Sequence, residues 1–151
     1  MVKPTIKNKF IITFCIFLYC LVIPGCNDTS KAGIIIKDAH LYLPLKGYDM
    51  AAGYLRLENN QGKKIVISNI KCEKVKASLH ETIVDSEGVM KMKKLEMFEV
   101  DPGSHTNFMP GGKHVMFSGL KEFKESVLTC ALSSNTGVEF PFAFEVLKNE
   151  R

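Results

Sequence analysis

The chain has no tryptophan, only four histidines, and five cysteines with no Cys-x-x-Cys spacing among them. The missing Cys-x-x-Cys removes the usual framework of a cysteine-based zinc site or a dithiol redox centre. No charge of one sign dominates. The formal net charge of +4 includes Lys3, Lys7 and Lys9, which stand in a leader without acidic residues; beyond residue 25 there are 17 basic and 16 acidic side chains, a net of +1. Nucleic-acid binding, which needs a basic patch, has no footprint here. No nucleophile elbow, phosphate-cradling glycine loop or His-Glu-x-x-His run occurs. His40 and His105, with Asp101 or Ser104, offer hydrolase residue types but stand beside turn signals and read as surface residues, so no enzyme is expected. Long apolar runs are also scarce. The one from Phe10 to Ile23 has 14 residues, shorter than the roughly 20 that a membrane-spanning helix needs.

That run has its own meaning. Three lysines followed by a short apolar stretch form the n-region and h-region of a signal peptide. The stretch ends in Ile23-Pro24-Gly25-Cys26, which resembles a bacterial lipobox, with Pro24 an unusual residue in it. The resemblance implies cleavage before Cys26 and acylation of its sulfur and new amino terminus. Several acyl chains at about 0.8 kcal/mol per buried CH₂ anchor a protein stably. The expected organisation is a signal peptide over 1–25, a lipidated Cys26 with a polar tether over 26–33, and one domain over 34–148. An uncleaved anchor or a plain secretory signal exports the domain as well. Cys72 and Cys130 then remain in an oxidising compartment. A disulfide and two buried, unpaired thiols are both open readings, since each lies in an apolar strand-like run.

The exported part reads as short strands. Ile34 to Ile36 is apolar, and residues 42 to 50 form an irregular connection. Ala52 to Leu57 alternates, placing Gly53, Leu55 and Leu57 on one face. Asn59 to Gly62 is a turn, with Lys64 to Ile70 expected to return as the second strand of a hairpin. Val75 to Thr82 alternates, Asp85 to Gly88 is a turn, and Val89 to Leu95 comes back antiparallel. A short strand over Met97 to Val100 precedes a turn at Asp101 to Gly103. Phe108 to Gly112 is a loop before the His114 strand, and Ser118 to Lys124 bridges to a strand over Val127 to Leu132. The last strand sets Phe140, Phe142, Phe144 and Val146 on one face as core, and Pro141 marks an edge. About eight strands without a helical period indicate an all-β sandwich or barrel.

One region departs from ordinary strand composition. His114 and Met116 are two residues apart, so on a strand they leave the same face about 7 Å apart. Val115 and Phe117 take the core side. His80 has the same relation to Leu79, and Met90 and Met92 share a face between lysines. A hairpin across Asp85 to Gly88 brings His80 near the Met90/Met92 pair. Imidazole and thioether are uncharged and borderline to soft, a set that suits Cu(I) far better than Ca²⁺, Mg²⁺ or a structural Zn²⁺. Thioether sulfur forms no disulfide, so a methionine site survives where cysteine is oxidised.

The spacing carries a resemblance. From His80 one position and ten residues lead to Met92, and twenty-one more lead to His114-Val115-Met116. This resembles the H(M)X10MX21HXM signature of the PCu(A)C periplasmic copper chaperones, with Glu81 standing where the signature permits a second methionine. His80-Glu81-Thr82, Gly88-Val89-Met90, Pro110-Gly111-Gly112, Gly119-Leu120, Asp38-Ala39 and Ala51-Ala52-Gly53-Tyr54 agree as well. The resemblance covers roughly Ile34 to Val146. It implies a cupredoxin-like Greek-key β-sandwich or barrel, and His80, Met92, His114 and Met116 as Cu(I) ligands, with Met90 a substitute for Met92. It also implies delivery of copper to the CuA site of cytochrome c oxidase, or exchange with a Sco-type protein; with the lipobox-like Cys26, the expected carrier is a membrane-anchored monomer. A blue-copper carrier fits less well, because neither Cys72 nor Cys130 has a histidine nearby in sequence. The second reading is a metal-free surface lipoprotein whose β-sandwich is a protein-binding scaffold.

Overall fold

Alternation decides where the strands form and which way they face. In β2 (Met50–Asn59), Gly53, Leu55, Leu57 and Asn59 are buried, and the residues between them are half-buried. Leu128, Cys130, Leu132 and Ser134 repeat the pattern in β9 (Val127–Ser134). In β10 (Glu139–Leu147), Phe144 and Val146 are buried with Phe140 and Phe142 half-buried behind them. The computed structural model describes residues 33–149. The leader, Cys26 and most of the tether lie outside the described residues. The remaining strands are β1 (Ile34–Tyr42), β3 (Ile65–Cys72), β4 (Lys76–Val84), β5 (Met90–Lys94), β6 (Phe98–Val100), β7 (His105–Phe108) and β8 (Lys113–Ser118).

All ten belong to one sheet in the order β5-β4-β8-β7-β2-β1-β10-β9-β3-β6. Pairing is antiparallel except for β1 with β10 and β7 with β8. The two edge strands, β5 and β6, are consecutive in the chain, so the sheet must curl to bring its ends together; β3 then approaches β4. The result is an all-β curled half-barrel. Its interior holds Leu57, Ile67, Val115, Phe117, Leu132 and Phe144, all without solvent exposure. Phe144 stands edge-on to Phe117 at 5.1 Å between ring centroids. The core, the ten strands and the disulfide described below all fall within a compact unit of residues 32–151, which has what an independently folding domain requires.

Three local expectations need correction. The hairpin of β2 with β3 does not form: β3 pairs with β6 and β9 instead. Asn59, fully buried at the end of β2, shows why. Its side-chain amide donates to the carbonyls of Lys63, Val100 and Asp101, and its Oδ1 accepts from the Gln61 N–H. The turn is thus tied to the β6 end, and the chain crosses to the other arm of the curl. β1 runs on to Tyr42 past a bulge between Lys37 and His40, where Asp38 takes a φ of 54°. The residues His105 to Asn107, given no strand by their sequence, form β7 with Phe108 against β2. Pro141 does lie on an open stretch, since β1 pairs with β10 only at residues 145–147. Cys72 and Cys130 stand opposite each other on β3 and β9 and are joined as a disulfide.

Candidate metal centre

The centre is built by the register of β5, β4 and β8. On β4, Leu79 points into the core and Ser78, His80 and Thr82 lie on the other face, half-buried. On β8, Val115 and Phe117 anchor the strand in the core with no exposure, which turns His114 and Met116 to the His80 side. Residues directly opposite in a ladder share a face. His80 pairs with His114, and Ser78 with Met116. On its other side, Thr82 pairs with Met92 and Val84 with Met90. His80 is therefore the hub. His114 is directly across from it, while Met116 on β8 and Met92 on β5 occupy diagonal positions. Such diagonals separate backbones by about 7–8 Å, within reach of long side chains.

The imidazole rings of His80 and His114 are stacked, 5.9 Å between centroids and 18° from parallel. His114 is 5% exposed. Its Nδ1–H donates to the Gly112 carbonyl at 3.0 Å, so the neutral ring carries its lone pair on Nε2, the atom free to bind a metal. The same carbonyl accepts the Thr82 N–H at 3.1 Å, tying the Pro-Gly-Gly turn to β4. Gly111 permits that turn, since its φ is 77°. His80 Nδ1 has a weaker partner, Ser78 Oγ at 3.4 Å. Met116 is flanked across the ladders by two small residues, Ala52 and Ser78.

The outer wall is the β4–β5 hairpin. β5 is an edge strand with all five residues exposed. Its turn is clamped by Asp85, whose Oδ1 accepts the N–H groups of Glu87 and Val89 at 3.0 and 2.9 Å. The Lys91 ammonium lies 2.7 Å from its other oxygen. That ammonium first, and the Val89 amide next, hold the Asp85 carboxyl below its ordinary range. Glu81 alternates away from His80 and pairs with Lys113 at 2.6 Å, so the optional methionine position faces away from the cluster. Lys94, opposite His80 on β5, pairs with Glu96 at 3.2 Å.

Register thus gathers His80, His114, Met116 and Met92, and sets Met90 one step further out. His40 and His105 are elsewhere. His40 packs between Tyr42 and Tyr54 on β1 with its Nδ1–H donating to Asp38 O, and His105 is exposed opposite Glu58 on β7. Among the described residues no three His, Cys, Asp or Glu side chains gather; the side chains diagonal to His80 across the ladders are those of Met92 and Met116. Sequence reasoning missed Asp85 and the Gly112 carbonyl as positioning groups. The Asp-Ser-Glu-Gly turn was the available signal for the first; nothing local marks the second.

The model of the LpqE-like family, a family named for a lipoprotein, matches residues 34–146. The chain belongs to the LpqE-like family. No curated protein matches it. Among solved structures, the chain is similar to the copper-bound PCuAC domain from PmoF2 with a TM-score of 0.62 and 17% identity, covering 78% of this chain and 95% of that domain. The apo PCuAC domain from PmoF1 gives 0.63 and 20%, covering 78% and 96%. The solution structure of CuI-DR1885 from Deinococcus radiodurans gives 0.55 and 20%, covering 85% of each. At these identities the likeness establishes the fold, and the fold is that of the PCuAC domains.

Proposed function

We propose that this chain is an exported Cu(I) metallochaperone that binds one copper ion, its cargo, through His80, Met92, His114 and Met116. The observation that carries the reading is the ladder itself: two imidazoles face each other across β4 and β8, with a thioether on either diagonal. The donor set fits the ion. All four groups are neutral, two are soft, and the His114 tautomer leaves Nε2 free. Exposure fits transfer, because Met92 stands 62% exposed on an edge strand while His114 is buried. A cargo ion held between a fixed imidazole and a mobile thioether can be released by exchanging one ligand at a time. Copper-bound and CuI structures of similar domains support the same cargo.

The finer reading concerns destination. The acceptor we propose is the CuA site of cytochrome c oxidase or a Sco-type thiol protein. Lipidated Cys26 would hold the monomeric domain of 34–148 on the outer side of a membrane, and the lipoprotein name of the family supports export. The function is not catalytic. A Cu(I) competition titration on residues 32–151, beside the His114→Ala/Met116→Ala variant, tests the binding claim. One tightly held Cu(I) per chain, lost in the variant, is expected. Failure of the unmodified domain to compete for Cu(I) would overturn the proposal.

A further inference from the structure

The β4–β5 hairpin carries one thioether more than the four-ligand set uses. Met90 and Met92 lie two residues apart on β5, on the face that bears His80. Exposure falls stepwise inward: 73% at Met90, 62% at Met92, half-buried at His80 and 5% at His114. Met90 pairs with Val84, two residues beyond the Thr82–Met92 pair, so it sits about 7 Å further out along the strand. From there it is remote from His114 but adjacent to Met92. Core filling does not explain it, because β5 buries nothing. Edge strands ordinarily display charge to discourage pairing; Lys91, Lys93 and Lys94 do so, and the two methionines do not. The Asp85 clamp on the turn fixes this register, keeping both thioethers in line with the histidines.

We propose that Met90 is an entry and exit ligand, forming with Met92 an outer two-thioether station through which Cu(I) passes between the inner site and a partner. This rests on the Cu(I) reading above. On delivery, a bond from copper to Met90 Sδ forms as the bonds to His114 Nε2, Met116 Sδ and the His80 imidazole break in turn, with Met92 bonded throughout. A soft donor of the partner then displaces Met92 and finally Met90. Copper stays Cu(I), every ligand of this chain is neutral, and no proton or electron moves. Uptake is the reverse. A ligand used only in passage lowers the barrier in both directions and leaves the equilibrium unchanged.

The test is stopped-flow transfer of Cu(I) from loaded residues 32–151 to bathocuproine disulfonate, with equilibrium competition run in parallel. Met90→Leu should slow transfer about tenfold, equivalent to 1.36 kcal/mol of barrier, and leave the affinity within about twofold. Met92→Leu should weaken the affinity itself. In methyl-labelled protein, Ag(I) added below one equivalent as a redox-inert probe should broaden and shift the Met90 methyl signal. An unchanged transfer rate in Met90→Leu, or an unmoved Met90 methyl, overturns the proposal. So does a loss of affinity equal to that of Met92→Leu, which would make Met90 a resident ligand. If the unmodified domain takes up no Cu(I), the function on which this rests has failed, and that shows before any variant is made.

Discussion

Reduction of the Cys72–Cys130 disulfide separates what holds the domain together from what holds the ion. The bond joins β3 to β9 across a sequence separation of 58 residues. The chain-entropy relation gives about 4 kcal/mol for a loop of that length. A domain of this size has a total stability of about 6–17 kcal/mol, so the loss is a large share of it. Reduction by a phosphine keeps both sulfur atoms in place and opens no cavity, unlike substitution of the buried Cys130. At a urea slope of about 1.5–2 kcal/mol/M, the midpoint should fall by about 2–3 M, and the melting temperature by about 12–20 °C. The ladder of β5, β4 and β8, which carries the proposed ligands, includes neither β3 nor β9. A Cys72→Ala/Cys130→Ala variant, folded at low temperature and free of competing thiols, should therefore bind Cu(I) within about threefold of the parent, less than 1 kcal/mol. A midpoint that hardly moves would refute the stability argument. A tenfold loss of Cu(I) affinity in the folded variant would refute the separation of bridge and site.

Two further outcomes follow from single side chains. A Cβ at Gly53 would lie 2.5 Å from Phe117 Cε2 and 3.1 Å from Phe144 Cε1, so Gly53→Ala should cost about 1–3 kcal/mol in urea unfolding and also weaken Cu(I) binding, since Phe117 shares β8 with His114. Wild-type stability with wild-type affinity would contradict that packing. The Asp85 carboxyl is held below its ordinary value of 3.8, first by Lys91 and then by the Val89 amide. A depressed pKa means its contribution is present above the unfolded value and lost as pH falls through the folded one. The β4–β5 hairpin should therefore stay ordered at pH 5 and loosen only below 3.8, read from the chemical shifts of Met90 to Lys94; loosening near pH 6 would show that another group holds the turn.

The placing of the His and Met residues on one face of neighbouring strands was legible because it is local in its consequences. A hairpin turn at Asp85 to Gly88 necessarily folds Met92 back beside His80, and alternation puts His114 and Met116 on one face. Which methionine stands nearer was not legible. That depends on the pairing of Thr82 with Met92, hence on a turn of stated length and an Asp85 clamp. The partners of β3 were misread because alternation reveals which face of a strand is buried, not which strand lies beside it. The turn residues Asn59 to Gly62 look like a hairpin signal, yet the Asn59 amide is committed to carbonyls 41 and 42 residues away. The pairing of Cys72 with Cys130 stayed open for the same reason, since it follows from a non-local register between β3 and β9. β7 escaped notice because His105, Thr106 and Asn107 carry no apolar alternation; their strand is imposed by β2.

Copper-edge X-ray absorption on the Cu(I)-loaded domain of residues 32–151 tests the central claim most directly. Two imidazole nitrogens and two thioether sulfurs around the ion, with one sulfur lost in Met92→Leu and one nitrogen lost in His80→Ala, are the predicted result. A shell of oxygen donors, or one unchanged in both variants, would contradict the assignment of the β5–β4–β8 ladder as the copper site.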